Sequence, residues 1–204
     1  DWIPLAEPLV QHADQGVRMA ALRALCRTGR VDLLEKIAET DEPRIRGYVC
    51  LWLAIVESES GKAKQRVRSM METFREEEAS AVREGMLAAI ADAPPRPDLG
   101  EMVLRFLEVS DMDQRLTPER MAAEVTLVDM LSLAVAKQQD PRAIPLLIAR
   151  LAFRVGRDSI REALVSYGEP AYRELARALT ETSTPRQVRV HIPRTIARFD
   201  TKDA

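Results

Sequence analysis

The sequence predicts an all-α protein built from paired helices, and three observations carry this prediction. Apolar residues recur three and four positions apart along most of the chain, as in Leu99, Met102 and Phe106, which is the spacing of one helical face. Proline stands repeatedly where a helix would begin, a position at which its missing N–H costs nothing. Strand-like alternation is almost absent, and the 204 residues, 46% of them apolar, are enough to fold around a core.

The helix boundaries follow in order along the chain. The predicted starts are Glu42-Pro43, Thr117-Pro118, Asp140-Pro141, Glu169-Pro170 and Thr184-Pro185. The predicted stops are Gly29, Gly61 and Gly168, because glycine most easily adopts the left-handed conformation that closes a helix. These signals predict about twelve helices in a single domain over residues 1–199, with a stiff proline-rich connector at 93–97 and a polar tail at 200–204.

The helices repeat as pairs, and the second helix of each pair carries the same mark. A β-branched residue is followed by Arg, with apolar residues about four and eight positions later. The marks stand at Val17-Arg18, Ile45-Arg46, Val82-Arg83, Ile160-Arg161 and Val188-Arg189. The arginines are 28, 37, 78 and 28 residues apart, so the longest interval has room for one unmarked repeat, over Leu99 to Gln138.

A single helix pair buries only one face, so successive pairs must stack and shield each other. The sequence therefore predicts a right-handed α-solenoid of about six stacked helix pairs. The side chains predicted to be buried between its layers are those of Val17, Leu25, Ile45, Leu53, Val82, Ile90, Ile160 and Ile196.

The stretch from Asp14 to Leu25 combines an acidic turn, the Val17-Arg18 pair and a run of Ala and Leu. In these features the chain resembles the HEAT-repeat family, particularly its short bacterial variants, over roughly residues 1–199. The resemblance implies a HEAT-like solenoid. The chain departs from the family in one respect, because it lacks the Asp that usually stands six residues before each Arg. Those positions hold His12, Thr40, Glu77, Val155 and Ser183.

The last repeat, residues 188–199, is similar to HEAT segments that accompany nucleotide-transporter-like membrane domains and cyclic-nucleotide-binding domains in some bacterial proteins. That resemblance implies a coupling module on the cytoplasmic side of a longer protein. Within the repeat, Pro193 is expected to kink its helix. Two cysteines in apolar helical stretches, Cys26 and Cys50, favour a reducing cytoplasm, and no signal segment opens the chain.

Charge is distributed unevenly along the chain. Residues 141–199 contain eleven Arg and five acidic residues, a formal charge of +6, whereas residues 1–140 carry −7. The arginine fork suits carboxylates and phosphates, so one interpretation is a surface for an acidic protein segment or a phosphate group. The candidate partner-binding residues are Arg150, Arg154, Arg157, Arg161, Arg186, Arg189, Arg194 and Arg198. The alternative is a solvated face with intrahelical pairs, such as Arg161 with Glu162 and Arg177 with Glu174.

Residues suited to catalysis are scarce. His12 and His191 are far apart, and the chain has no Cys-x-x-Cys, His-x-x-x-His or phosphate-cradling glycine motif. We therefore expect no metal, no cofactor and no enzymatic activity. The predicted function is a protein-binding scaffold or regulatory module for a protein partner or neighbouring domain, without strong nucleic-acid binding or membrane insertion. The alternative is a HEAT-like enzyme such as an alkylpurine DNA glycosylase or a bilin lyase.

Overall fold

The computed structural model describes residues 2–39, 42–56, 79–109 and 118–199, except for the side chains of residues 79, 109 and 118–124. Every regular element in these ranges is helical, which confirms the all-α prediction. The chain divides into two compact units, unit 1 over residues 1–92 and unit 2 over residues 93–204, so the division coincides with the start of the proline-rich segment. The predicted stop at Gly61 and the tail at 200–204 lie outside the described residues.

The described part of unit 1 contains a short helix and a 3₁₀ helix, followed by four longer helices. Its elements are α1 (Ile3–Ala6), the 3₁₀ helix Glu7–Gln11, α2 (Gln15–Cys26), α3 (Val31–Ala38), α4 (Pro43–Val56) and α5 (Ala79–Asp92). Asp14 caps α2, since its Oδ1 accepts the backbone N–H of Val17 at 3.0 Å. Gly29 has a φ of +66° three residues after the end of α2, and α4 begins at Pro43, which confirms both predicted boundaries.

Helix α4 is the centre of unit 1, where it packs against α2, α3 and α5. It is apolar around most of its circumference, as a helix surrounded by neighbours must be. Its buried side chains are those of Ile45, Tyr48, Val49, Leu51, Trp52, Leu53 and Ala54. The core of unit 1 is therefore organised around one helix.

Helices α4 and α5 approach until their backbones touch, through one glycine on each side. A Cβ atom added to Gly47 would lie 2.2 Å from the carbonyl oxygen of Val82, and one added to Gly85 would lie 2.0 Å from that of Arg44. Real Cβ atoms do not come so close to other atoms. Any side chain at Gly47 or Gly85 therefore requires the two helices to move apart.

In unit 2 the described residues form seven helices. They are α6 (Pro97–Val109), α7 (Pro118–Gln138), α8 (Ala143–Arg150), α9 (Arg157–Ser166), α10 (Glu169–Thr180), α11 (Arg186–Arg189) and α12 (Ile192–Ile196). Helix α7 begins at Pro118 as predicted. Pro141 lies in a turn two residues before α8, Pro170 is the second residue of α10, and Pro185 is the N-cap of α11. Proline thus marks each boundary to within two residues.

The packing of unit 2 places α9 against α7, α8 and α10, while α6 packs on α7 and α8. Gly156, the N-cap of α9, has a φ of +62°, and a Cβ added to it would lie 2.2 Å from Cγ1 of Val128. A residue with a side chain would be strained there in two ways. Gly168, with a φ of +62°, separates α9 from α10, which confirms the predicted stop.

Most of the side chains that the repeat marks predict to be buried do lie in the core. Six of the eight side chains expected between layers are buried, whereas Val17 and Ile196 are only partly covered. Val17 lies in the first turn of α2, and Ile196 is the last residue of α12, so neither has a full turn of helix on both sides. None of the described helices is both long and apolar enough to cross a membrane.

The end of unit 2 differs from the prediction of one kinked helix over residues 188–199. The chain forms two short helices, α11 and α12, and Pro193 lies in the first turn of the second one. Proline has no N–H to offer the carbonyl four residues earlier, and its ring collides with that group. The helix therefore ends at Arg189 and restarts at Ile192, which turns the chain at His191.

Candidate binding site: an arginine cluster in unit 2

The eight arginines proposed from the sequence occupy different environments in unit 2. Two of them, Arg150 and Arg161, are buried. Three are partly covered, namely Arg157, Arg189 and Arg198. The other three are exposed, namely Arg154, Arg186 and Arg194. The charge excess of this region is therefore divided between the interior and the surface of the unit.

Arg150 is the last residue of α8, and contrary to the prediction it does not offer its charge to a partner. Its side chain is buried, and its Nη2 donates to the carbonyl oxygen of Leu107 at 2.5 Å. The last carbonyls of a helix lack partners within that helix. Arg150 therefore joins α8 to the C-terminal turn of α6.

Arg157 is the first residue of α9, and three backbone carbonyls hold its guanidinium in place. Its Nε donates to the oxygens of Leu151 and Phe153, both at 2.9 Å, and its Nη2 donates to that of Ala152 at 3.2 Å. These carbonyls follow the end of α8. The side chain therefore fixes the turn between α8 and α9, which reversing its charge would disturb.

Asp158 connects two of the proposed arginines. Its Oδ1 accepts from Arg161 Nη1 at 2.9 Å and from Arg198 Nη2 at 2.5 Å. These arginines hold the pKa of Asp158 below its ordinary value, Arg161 through its hydrogen bond being the main cause. Arg161 was predicted to face a partner, but its side chain is only 4% exposed and its Nε has no hydrogen-bond partner among the described residues.

His191 lies in the turn between α11 and α12, where the charges of three arginines act on it. Partial burial lowers its pKa, and the positive charges of Arg157, Arg161 and Arg194 lower it further. Burial also lowers the pKa of Arg157, with the charges of Arg161 and Arg154 adding to the effect. We call the group that these interactions join the arginine cluster. It consists of Arg154, Arg157, Arg161, Arg194, Arg198, His191 and Asp158.

Outside the arginine cluster, several arginines of unit 2 are paired with carboxylates. On α10, Arg173 Nε and Glu169 Oε1 are 2.7 Å apart, and so are Arg177 Nη2 and Glu174 Oε2. Arg177 with Glu174 is a pair that the alternative interpretation named, whereas Arg161, named there with Glu162, pairs with Asp158. The solvated-face interpretation therefore describes α10, whereas in the arginine cluster Arg161 and Arg198 share one carboxylate, that of Asp158.

Arg186 and Arg189 lie on α11, and none of the described interactions joins either of them to the arginine cluster. Arg186 instead borders a shallow cleft of about 450 Å³ together with Pro185, Gln187 and Val190. The assignment of these two arginines as partner-binding residues therefore stays a prediction from the sequence. We do not include them in the candidate site.

Two members of the arginine cluster were not proposed as binding residues from the sequence. Asp158 follows Arg157 directly and precedes Arg161 by three positions, a spacing at which helical side chains meet. That spacing could have identified it. His191 carries no comparable signal, because it joins the cluster through the break between α11 and α12.

Guanidinium groups are the side chains best suited to carboxylates and phosphates. Within the described ranges, no three His, Cys, Asp or Glu side chains are grouped so that they could hold a metal ion. Comparisons with protein-family models, curated proteins and solved structures found no match. The resemblance to HEAT repeats therefore stays a prediction from the sequence.

Proposed function

We propose that this chain is a non-catalytic binding module, a HEAT-like right-handed α-solenoid of about six helix pairs that works in the cytoplasm. Its ligand is an acidic segment of a protein partner or of a neighbouring domain. The arginine cluster of unit 2 is the binding site. The single observation that carries this proposal is that Arg161 and Arg198 share one carboxylate, Asp158, next to Arg157, whose guanidinium is held by three backbone carbonyls.

Packing within each unit supports the architectural part of the proposal. The helices predicted to be the second members of successive pairs contact each other, α2 with α4 and α4 with α5 in unit 1, and α7 with α9 in unit 2. Contact between equivalent helices of neighbouring repeats is what stacked pairs require. Small-angle X-ray scattering tests it, since a solenoid of six pairs gives an elongated profile and a compact globular profile would contradict it.

Electrostatics supports the binding part of the proposal. Arg154 and Arg194 are exposed, and no carboxylate of the described residues pairs with either of them. Exposed cations attract an anionic partner over a distance set by salt, about 8 to 10 Å at ordinary ionic strength. We therefore expect binding that weakens as salt increases.

A charge-reversal experiment tests the binding site. The probe is a fluorescein-labelled peptide of glutamate and glycine, and its affinity is measured by fluorescence anisotropy at about 50 and about 300 mM NaCl. We expect the wild-type chain to bind at low salt and to weaken at high salt. The double variant Arg154→Glu with Arg194→Glu should lose at least about tenfold in affinity.

The matched control is Arg173→Glu with Arg177→Glu, which changes the net charge equally on α10 of the same unit. It should keep its affinity within about threefold, because both arginines are already paired with glutamates. Equal losses in the two double variants would mean that only net charge matters. That result, or no binding by the wild-type chain, would overturn the proposed site.

A further inference from the structure

An apolar face is exposed on the first helical segment of unit 1. The chain is helical over residues 3–11, through α1 and the 3₁₀ helix, and both elements pack on α2. Ala6 and Val10 of this segment are buried. Three other apolar side chains, spaced three and four positions apart and therefore on one side of the segment, are 49%, 75% and 40% exposed, and they are those of Trp2, Leu5 and Leu9. We call these three residues the α1 face. Grouped apolar side chains on a protein surface mark interaction sites.

The chain around the α1 face carries only negative charge. Residues 1–17 contain three acidic residues, Asp1, Glu7 and Asp14, and no Lys or Arg. The α1 face of a second copy is therefore a poor occupant, because like charges would meet across the contact. The occupant that fits combines apolar side chains with positive charge.

Unit 2 presents that combination at α11. Its shallow cleft of about 450 Å³ is lined by four exposed residues, namely Pro185, Arg186, Gln187 and Val190. Val190 is apolar and yet 58% exposed. The buried side chain of Val188 lies on the same short helix, and α11 packs on α8. The cleft, which we call the α11 cleft, is therefore held by the packing of its own unit.

The charge around the α11 cleft is opposite to that around the α1 face. Residues 182–199 contain four arginines and no acidic residue, and two of these arginines, Arg186 and Arg189, lie on α11 itself. Arg186 borders the cleft and is exposed. An exposed guanidinium is suited both to a carboxylate and to the face of an aromatic ring, and the segment that carries the α1 face supplies Glu7 and Trp2.

We propose that this chain associates with further copies of itself, the α1 face of one molecule docking in the α11 cleft of the next. The apolar side chains of the α1 face cover Pro185 and Val190, and the acidic segment around them meets Arg186 and Arg189. Because the two surfaces differ, each molecule of a pair keeps one surface free, and association continues beyond the dimer or closes into a ring. The inference does not depend on the proposed function, since the contact does not use the arginine cluster.

Sedimentation velocity of the whole chain tests self-association. We expect the weight-average mass to increase above that of the monomer between about 5 and 200 µM, the range of a weak protein contact. Because the two surfaces carry opposite charge, the affinity should decrease at least about threefold between about 50 and 300 mM NaCl. A chain that stays monomeric over this range, or association that salt does not weaken, would overturn the proposal.

Two substitutions each block one surface and add the same charge. Leu5→Arg places a cation in the α1 face, and Val190→Arg places one in the α11 cleft, both at exposed positions. Each variant alone should self-associate at least about tenfold more weakly than the wild-type chain. Mixed in equal amounts, the two variants should form a dimer and nothing larger, because one intact face then meets one intact cleft.

The matched control is Leu133→Arg, which adds the same charge at a side chain of α7 that is 54% exposed. It should associate as the wild-type chain does. Circular dichroism checks that all three variants fold.

Trp2 provides a second measurement that does not depend on mass. It is 49% exposed, whereas Trp52, the other tryptophan, is only 7% exposed, so acrylamide quenches mainly the fluorescence of Trp2. The quenching constant of the wild-type chain should decrease about twofold as the α1 face becomes covered at high protein concentration. In Val190→Arg, which keeps both tryptophans, it should stay constant.

The variants also show how the proposal can fail. Self-association that survives either Leu5→Arg or Val190→Arg would overturn the pairing of these two surfaces, and so would a mixture of the two variants that stays monomeric. An equal loss in Leu133→Arg would show that net charge controls association and would overturn it as well. Trp2 quenching that does not change with concentration would contradict a role of the α1 face. Each of these results leaves the binding of the glutamate peptide, which tests the proposed function, as a separate measurement.

Discussion

The two units of this chain build their interiors with different chemistry. In unit 1 the buried side chains of the described residues are aliphatic, aromatic or thiol-bearing, and two helices touch through Gly47 and Gly85. In unit 2 the interior includes the side chains of Ser132, Gln138, Arg150, Arg161 and Thr195. Apolar packing dominates the described interior of the first unit, whereas in the second a hydrogen bond from the buried Arg150 connects α8 to α6.

The polar contacts of unit 1 lie at the edge of its core and show the same contrast. Asp92, the last residue of α5, accepts from Arg23 Nε at 2.6 Å and from the Tyr48 hydroxyl at 2.9 Å. Burial raises the pKa of Tyr48 and of the nearby Cys26, and the charge of Asp92 contributes to both shifts. Both groups therefore remain protonated at neutral pH, so the only charges of this network are those of Arg23 and Asp92.

The comparison teaches where a charged partner can be bound. A unit that buries arginines must hold them with carbonyls and carboxylates from neighbouring elements. Four predictions test this difference. Unfolding of unit 1 can be followed separately by fluorescence, because Trp2 and Trp52, the two tryptophans of the chain, both lie in that unit.

The largest expected effect is that of Gly85→Ala in unit 1. The new Cβ would meet the carbonyl oxygen of Arg44 at 2.0 Å, and backbone cannot move aside as a side chain can. We expect a loss of about 3 kcal/mol or more in the free energy of unfolding, measured by urea denaturation with tryptophan fluorescence. Gly29→Ala is the control, since it strains φ without any close contact and should cost about 1 kcal/mol. Equal losses would contradict the tight helix contact.

Truncation of the apolar core comes next. Leu53 is fully buried in α4, so Leu53→Ala should lower the free energy of unfolding by about 2 to 5 kcal/mol through lost burial and the cavity left behind. Leu5→Ala serves as the control, because Leu5 is 75% exposed. A loss below about 0.5 kcal/mol for Leu53→Ala, within the range of surface substitutions, would show that the helix register is wrong.

A smaller effect is expected for Arg150→Met in unit 2. The substitution keeps much of the apolar volume but removes the donor to the carbonyl oxygen of Leu107. We expect a loss of about 2 kcal/mol, typical of a hydrogen bond from a charged group. Far-UV circular dichroism follows both units during denaturation, while tryptophan fluorescence follows unit 1. A higher free energy of unfolding in Arg150→Met would show that desolvation of the guanidinium destabilises the fold by more than its hydrogen bond stabilises it.

The smallest effect concerns pH. The pKa of His191 is lower in the folded chain than its ordinary value of 6.5, so in this range the unfolded chain binds more protons. The free energy of unfolding should therefore increase with pH up to about 6.5 and decrease as the solution becomes more acidic. In His191→Gln, the urea midpoint should depend less on pH between about pH 5.5 and 7.5. The control His12→Gln should keep the pH dependence that His191 contributes. An unchanged slope in His191→Gln would contradict the assignment.

Local signals in the sequence predicted the helical fold and much of its core. Leu25, Ile45, Leu53, Val82, Ile90 and Ile160 are buried as predicted, because helical periodicity depends only on neighbours along the chain. Gly47 and Gly85 were not recognised as a contact, since they are separated by 38 positions and meet only when α4 packs on α5. A contact between helices has no periodic signature in either one.

The candidate site shows the same division. Composition alone determined that residues 141–199 are rich in arginine, since charge counts need no structure. Which arginines are buried was decided by tertiary packing: Arg150 reaches Leu107 across 43 positions, and Arg198 reaches Asp158 across 40. Burying a guanidinium is favourable only where carbonyls or carboxylates from other elements meet it. The sequence fixes how much charge the region holds, and the folded chain decides which of that charge a partner can reach.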